Sequence, residues 1–466
     1  MSKKIKTSRM LRVASMTGAA AGMGVRMATS RAIATTGGAG SEERRREAAT
    51  RQQLAAARQL VSILANMRGA AMKVGQSLST VDMGLVPEEI RPEFQAILAE
   101  LQHSAKPSPF RDVKKVIEAD LGAPLDELFT AFDRVPIAAA SIGQVHRATL
   151  PDGRSVAVKV QYPGIAEAIE ADMKNLTLGL KLLKSIVPGI DTAAIADEIR
   201  ERIYDELDYE LEAQNHRAMA RVYRGHPFVL VPEVVTALCG RRVLVTEFVD
   251  GERFEDVLAR PAAERDRIGE ILTRFYLNGP LRHRLLNGDP HPGNTLFLRD
   301  GRVAFIDFGF FKRLPDEEIE QMLDSTIATH AKDPEALLEV IARAGALPPK
   351  PELAEPMFEA YDAVFGWLMG EEPLTIEPAR TAEMMRVYGE LRNADGFEDL
   401  VLPAEHFVLL RGVMLLLGVL GQLEATNVWF DIAREWLFGD EPLTELGRQE
   451  AAFFVNRPFT TRAVSA

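Results

Sequence analysis

The chain has 466 residues, of which 47% are hydrophobic and 26% charged, an ordinary globular composition for two or three domains or one large two-lobed unit. Its one cysteine, Cys239, excludes an internal disulfide and a cysteine-rich zinc site, and fits a reducing compartment. The net charge of −12 argues against nucleic acid as a partner, and it is unevenly placed: residues 1–41 carry seven Lys and Arg and no acidic residue, so the remainder carries −19.

Residues 1–50 read as a basic, flexible arm. Its first 41 residues, acid-free and rich in Ala, Ser and Thr, suit either a disordered tail or a transit peptide. A basic arm on an acidic body points to an anionic membrane surface as its partner. Residues 51–108 read as a helical extension. Leu54, Leu60, Ile63, Leu64 and Met67 recur at helical spacing, a similar pattern follows Pro87, and Lys73-Val74-Gly75-Gln76 lies between the two.

Residues 109–250 read as a small, mainly β lobe. A helix ends near Gly122 and Pro124. Strands over 142–150 and 155–160 flank Asp152-Gly153, a hairpin signal because glycine accepts positive φ. A mostly helical stretch over 165–222 precedes strands over 229–235 and 243–249. Residues 251–466 read as helical apart from 288–310. The apolar run from Val408 to Leu420 is interrupted by Arg411 and is too short to span a bilayer, so it predicts a buried helix. The N-terminus lacks the leucine-rich core of a secretory signal.

Four segments carry chemistry. On a strand, Val156, Val158 and Val160 share one face, while Ala157 and Lys159 share the other. A lysine there either snorkels to water from an edge strand or needs an anionic partner. Asp289 and Asn294 have the Asp-x-x-x-x-Asn spacing of a phosphotransfer loop, and Asp307-Phe308-Gly309 follows an Asp300-Gly301 hairpin. Carboxylate and amide oxygens suit magnesium, a hard cation, and a second carboxylate can orient water or an acceptor hydroxyl. The acidic segment from Asp205 to Glu212 reads as helical, with Asp208 and Glu212 on one face and Glu206 and Glu210 on another. Glu212 is the chosen partner for Lys159, with a solvated acidic face as the alternative. Residues 243–251 read as a strand running into a hinge, with Thr246 at the gatekeeper position and the backbone of Glu247 and Val249 for adenine. Strand lysine, Asp-x-x-x-x-Asn and Asp-Phe-Gly, in that order, form a kinase signature set.

Two features depart from ordinary protein kinases. Ala138-Ala139-Ala140-Ser141 stands where a glycine-rich phosphate loop belongs, and should be stiffer than glycine would allow. Asn287-Gly288-Asp289 replaces His-Arg-Asp. Together with Lys73-Val74-Gly75-Gln76, Glu206-Leu207-Asp208, Asp289-Pro-His-Pro-Gly-Asn294 and Asp307-Phe-Gly, these features resemble the UbiB family of atypical kinases, the AarF-domain group linked to coenzyme Q.

The resemblance runs from about residue 60 to at least 320. It implies an α+β, two-lobed protein-kinase-like fold with an N-terminal helical extension and a predominantly helical large lobe. It implies adenine nucleotide and Mg2+ as ligands and ATPase or atypical-kinase activity. Lys159, Glu212 and Asp289 would be catalytic, Asn294 and Asp307 would hold the metal, and Lys73 and Gln76 would gate the site through Glu206 and Asp208. It further implies an isoprenoid lipid or quinone precursor as substrate class, protein partners from a lipid-biosynthesis complex, and a peripheral place on an inner membrane, organellar if the arm is a transit peptide. Many relatives carry transmembrane helices, and none is found here by sequence. Two alternatives stay open: a small-molecule phosphotransferase of the aminoglycoside or choline kinase type, and a nucleotide-sensing scaffold without chemistry.

Overall fold

The computed structural model describes residues 107–171, 173, 204–380, 384, 386–387 and 404–456. The basic arm, most of the helical extension and Lys73 and Gln76 lie outside them. Contacts divide the chain into two units, one of Met1–Val116, Pro136–Gln144 and Val160–Leu207, the other of Ile117–Val135, Val145–Lys159 and Asp208–Ala466.

In the first unit the described segments are joined by hydrogen bonds from polar side chains. Gln144 accepts the Ser108 N–H at 2.7 Å, and the Gln161 side chain donates to the Leu207 carbonyl at 2.9 Å. The alanine loop closes as a turn, with the Ala140 N–H donating to the Gly143 carbonyl at 2.8 Å. Its Ser141 hydroxyl is engaged as well, donating to Glu206 at 3.3 Å.

Apart from Ala138–Ala139, Gly143–Gln144 and Val160–Gln161, which fall in the first unit, the strand residues belong to the second. Strands β1 (Ala131–Phe132), β3 (Gly143–Thr149), β4 (Ser155–Gln161) and β6 (Val243–Glu247) lie in that order, with β2 (Ala138–Ala139) between β1 and β3 in the chain. The β3–β4 hairpin turns at Gly153, whose φ of +87° needs a residue without a Cβ. Its Asp152 carboxylate accepts the Arg154 N–H at 3.0 Å. Val156, Val158 and Val160 are fully buried, each stabilising by about 1.5–3 kcal/mol relative to exposure. Lys159 points to the opposite face, as alternation requires.

Helix α1 (Tyr209–Tyr223) is capped by Asp208, whose side chain accepts the Glu210 and Leu211 N–H groups. This corrects the reading of 205–212 as one helix. Asp208 takes extended backbone at the cap, where its short carboxylate satisfies donors that a helix start leaves free. Glu206 and Glu212 therefore do not share a helix. The strand expected over 229–235 is also cut short, to β5 (Val229–Leu230), because Pro232 has no N–H to give a ladder. Instead β5 pairs in parallel with β9 (Val303–Phe305), which pairs antiparallel with β8 (Thr295–Phe297). A further pair, β7 (Leu285–Asn287) and β10 (Phe311–Arg313), brackets the catalytic-loop text.

The helical part is built from α2 (Ala262–Thr273), α3 (Asp316–His330), α4 (Pro334–Arg343), α5 (Ala354–Phe365), α6 (Ala404–Leu423), α7 (Trp429–Leu437) and α8 (Glu445–Phe453). The run containing Val408–Leu420 is the buried helix expected, with Val413, Leu416, Leu417 and Leu420 at 1% exposure or less. No described helix is long and apolar enough to cross a membrane. Arg274 opens a π turn after α2 and is fully buried. It donates to Glu270 at 2.8 Å, to both oxygens of Glu435 at 2.7 and 2.9 Å, to Glu450 at 3.0 Å and to Thr444 at 2.8 Å. Burial alone would lower the guanidinium, but the carboxylates of Glu435, Glu450 and Glu270 raise it. Burial raises the Glu450 carboxyl against the pull of Arg274.

Candidate active site

β4 delivers Lys159, α1 delivers Glu212, the loop after β7 delivers Asp289 and Asn294, and the end of β9 delivers Asp307. All five belong to the second unit. The Lys159 ammonium donates to Glu212 at 2.7 and 2.9 Å and to Asp307 at 3.1 Å. The snorkelling alternative for Lys159 is thereby set aside: its side chain is 18% exposed and Glu212's 5%. Desolvation acts to lower the ammonium, but Asp307 and Glu212 outweigh it and hold the pKa well above the usual lysine value.

Asn294 donates its side-chain N–H groups to the Asp289 carbonyl and carboxylate, both at 3.1 Å. That orientation commits its nitrogen to Asp289 and leaves the amide oxygen as the atom for a cation. Asp307 accepts the Gly309 N–H at 3.0 Å, which shapes the Asp-Phe-Gly turn. His291 accepts the Gly293 N–H at 3.0 Å and thus serves the loop's own turn.

Glu247 closes β6. Its N–H donates to the Glu233 carbonyl at 2.9 Å, and the next N–H, of Phe248, donates to Ser155 at 3.0 Å. Asp208 lies 3.8 Å from Arg241 in addition to its capping bonds. The gate expected between Lys73, Gln76, Glu206 and Asp208 includes two residues outside the described set.

Four neighbours escape the motif reading. The buried Asn287 side chain donates to the Asp307 carbonyl at 2.9 Å and accepts the Asp289 N–H at 3.1 Å, tying the two acidic segments together. It occupies the place of a kinase signature residue, so its position in the motif was the available signal. His216 stands one turn beyond Glu212, packs on the Phe308 ring at 4.7 Å and meets the Pro232 carbonyl at 2.8 Å. Burial lowers its pKa to about 4. Tyr276 is buried, with its hydroxyl raised by desolvation and then by the charges of Asp289 and Asp307. The fourth is Arg411, whose Nη2 is 3.7 Å from Asp289. Its signal was the charge it puts into an apolar run.

An ammonium between two carboxylates, and a further carboxylate braced by an amide, can serve phosphoryl transfer, which relies on positioning and charge rather than covalent chemistry. The model of the ABC1 atypical kinase-like domain matches residues 100–341. The chain is 34% identical over 325 residues to the uncharacterised protein sll0005 of Synechocystis, spanning 68% of this chain and 46% of that protein. It is 33% identical over 291 residues to the chloroplastic protein ACTIVITY OF BC1 COMPLEX KINASE 8 of Arabidopsis thaliana, spanning 60% and 38%. It is 30% identical over 338 residues to the mitochondrial atypical kinase COQ8B of Danio rerio, spanning 72% and 54%. The matches thus cover about half the length of these relatives. The solved complex of Rv3197 with erythromycin from Mycobacterium tuberculosis superimposes with a TM-score of 0.60 at 31% identity, covering 84% of this chain and 98% of that one. The fold is α+β and kinase-like, and the chain belongs to the ABC1 atypical kinase-like group, the UbiB family.

Proposed function

We propose that the chain is a magnesium-dependent ATPase or atypical kinase that acts in ubiquinone or related isoprenoid-lipid metabolism at a membrane surface. The observation that carries this reading is Lys159 within 3.1 Å of both Glu212 and Asp307. Lys159 takes the α and β phosphates of ATP, and Glu212 orients it. The backbone of Glu247 and Val249 receives adenine, through a carbonyl at Glu247 because its N–H is spent on Glu233. Ala138 to Ser141 stand in the sequence where a phosphate loop belongs.

The residues fit magnesium. Asn294 keeps its amide oxygen for a cation, and Asp307 offers carboxylate oxygens with second lone pairs. Among the described residues no cluster of three or more His, Cys, Asp or Glu could hold a metal. Magnesium asks for no such cluster, since it takes one or two protein ligands and completes its shell with water and phosphate. When bound, it neutralises charge developing on the phosphates. Asp289 accepts the proton of the attacking water or hydroxyl as the new P–O bond forms, while the bond to the bridging oxygen of ADP breaks and the electron pair leaves with ADP.

The lipid pathway is supported by relatives named COQ8B and the organellar kinases, and the membrane surface by the basic arm over residues 1–41. A second reading, phosphoryl transfer to a small molecule, is favoured by the structural neighbour solved with erythromycin. Asp307→Asn tests the nucleotide site. It should abolish the thermal shift that ATP and magnesium produce in the wild type, while the unliganded melting curve is retained. An undiminished shift in the variant refutes the assignment.

A further inference from the structure

Helix α6 lies beyond the residues matched by the family domain, yet it reaches the catalytic loop through one side chain. Arg411 donates from Nη1 to the Gly288 carbonyl at 2.9 Å, across 123 residues of sequence. Its Nη2 lies 3.7 Å from Asp289 Oδ1. Its guanidinium stands 5.0 Å over the Phe310 ring, and the Phe310 carbonyl accepts the Gly288 N–H at 3.0 Å. One arginine thus touches both the Asp289 loop and the segment after Asp307-Phe308-Gly309.

The side chain is only 11% exposed. A charge so sheltered has to be compensated, and the planar fork of arginine holds two acceptors in fixed relation, which a lysine cannot do. The two Asp289 oxygens are held from different sides: Oδ1 faces Arg411, and Oδ2 accepts the Asn294 amide at 3.1 Å. Within the loop, His291 accepts the Gly293 N–H at 3.0 Å. Among the described residues, Arg411 is the cation within 4 Å of Asp289.

We propose that Arg411 is a positioning residue for Asp289. It fixes the plane of the carboxylate, so that one oxygen stays turned towards Asn294 and the other towards the group whose proton Asp289 accepts. The site as the domain model bounds it is then incomplete, and its acceptor half is finished from α6. The inference rests on the phosphoryl-transfer reading above.

The test compares the full chain with Arg411→Met, Arg411→Lys, Asp289→Asn and the Asp289→Asn/Arg411→Met double variant. Steady-state hydrolysis of magnesium-ATP is followed in the presence of anionic vesicles, and amide hydrogen exchange is followed over 285–294. Arg411→Met should lower kcat about 100-fold, the scale of a misplaced catalytic group, with KM for ATP changed by less than about twofold. Arg411→Lys should recover part of the rate, and adding Arg411→Met to Asp289→Asn should do no further harm. Exchange over 285–294 should quicken about 10-fold in Arg411→Met. Wild-type kcat in Arg411→Met, a raised KM at unchanged kcat, or an equal loss on top of Asp289→Asn overturns the proposal. Unchanged exchange overturns it too, whether or not the wild type turns over ATP. An inactive wild type with quickened exchange in the variant sinks the phosphoryl-transfer reading and leaves Arg411 as the brace of Asp289.

Discussion

Replacing Lys159 by methionine keeps the length of the side chain and removes the ammonium that two carboxylates share. The Glu212 side chain is 5% exposed and that of Asp307 is 32% exposed. Water can take over at Asp307, so the penalty falls on Glu212. Breaking a buried pair by deleting one partner costs about 3–5 kcal/mol, and with one of the two acids still hydrated the low end, about 3 kcal/mol, applies. At roughly 1–2 °C per kcal/mol for a chain of 466 residues, the melting midpoint should drop by about 3–6 °C.

The effect has a pH signature. In the wild type the ammonium is held above its ordinary pKa of 10.5, so its contribution is complete below that value and is lost only as pH rises through the higher folded-state value. The wild type should therefore be insensitive to this group across neutral pH. In Lys159→Met the stranded carboxylate is relieved by taking up a proton, so the deficit should shrink from pH 8 towards pH 5. The double variant Lys159→Met/Glu212→Gln should recover about 1–2 kcal/mol, because neither charge is then left alone. Differential scanning fluorimetry of the three proteins at several pH values measures all of this. A single variant that melts within about 1 °C of the wild type, at every pH, would mean that the lysine and the two acids are not joined in solution.

Two further outcomes follow from buried groups. The folded-state pKa of His216, at about 4 against an ordinary 6.5, lies below its unfolded value, so its contribution is complete above pH 6.5 and is lost as pH falls from 6.5 towards 4. His216→Gln keeps a donor for Pro232 and should flatten that part of the stability profile by up to about 1.4 kcal/mol per pH unit, read from denaturant midpoints. A Cβ on Gly447 would stand 2.5 Å from Glu435 and 2.6 Å from Arg274. Gly447→Ala should therefore cost about 1–3 kcal/mol by overpacking a locked network, seen as a lower melting midpoint with nucleotide binding retained.

Much of the site was legible because its signals are local. Asp289 and Asn294 lie on one loop, Asp307-Phe308-Gly309 makes its own turn, and Asp152-Gly153 builds its own hairpin. Glu212 could be chosen because a buried strand lysine requires an acid and the segment Asp205–Glu212, between the strand and the Asp289 loop, is rich in them. The misreadings arose where a single residue overrode a pattern. Asp208 satisfies a helix start instead of continuing a helix, and Pro232 stops a strand that periodicity extends. The parallel pairing of β5 with β9 joins Val229 to Val303, and Arg411 meets Gly288 across 123 residues. Neither leaves a local pattern, since the partner is set only when the whole unit packs.

The Arg274 network bears on how the chain can be made. This arginine emerges from the ribosome well before two of the acids that neutralise it, Glu435 at 161 residues and Glu450 at 176 residues further on. Until they arrive, closing the interior around Arg274 would enclose a cation with Glu270 alone against it, and enclosing an uncompensated charge is strongly unfavourable. The nascent chain therefore has reason to stay open at this place until α7 and α8 are released, with the apolar faces of α2 and α6 in need of shelter meanwhile. Closure around Arg274 is thereby coupled to the arrival of α7 and α8, and a chain broken off before α7 would leave this arginine with Glu270 alone.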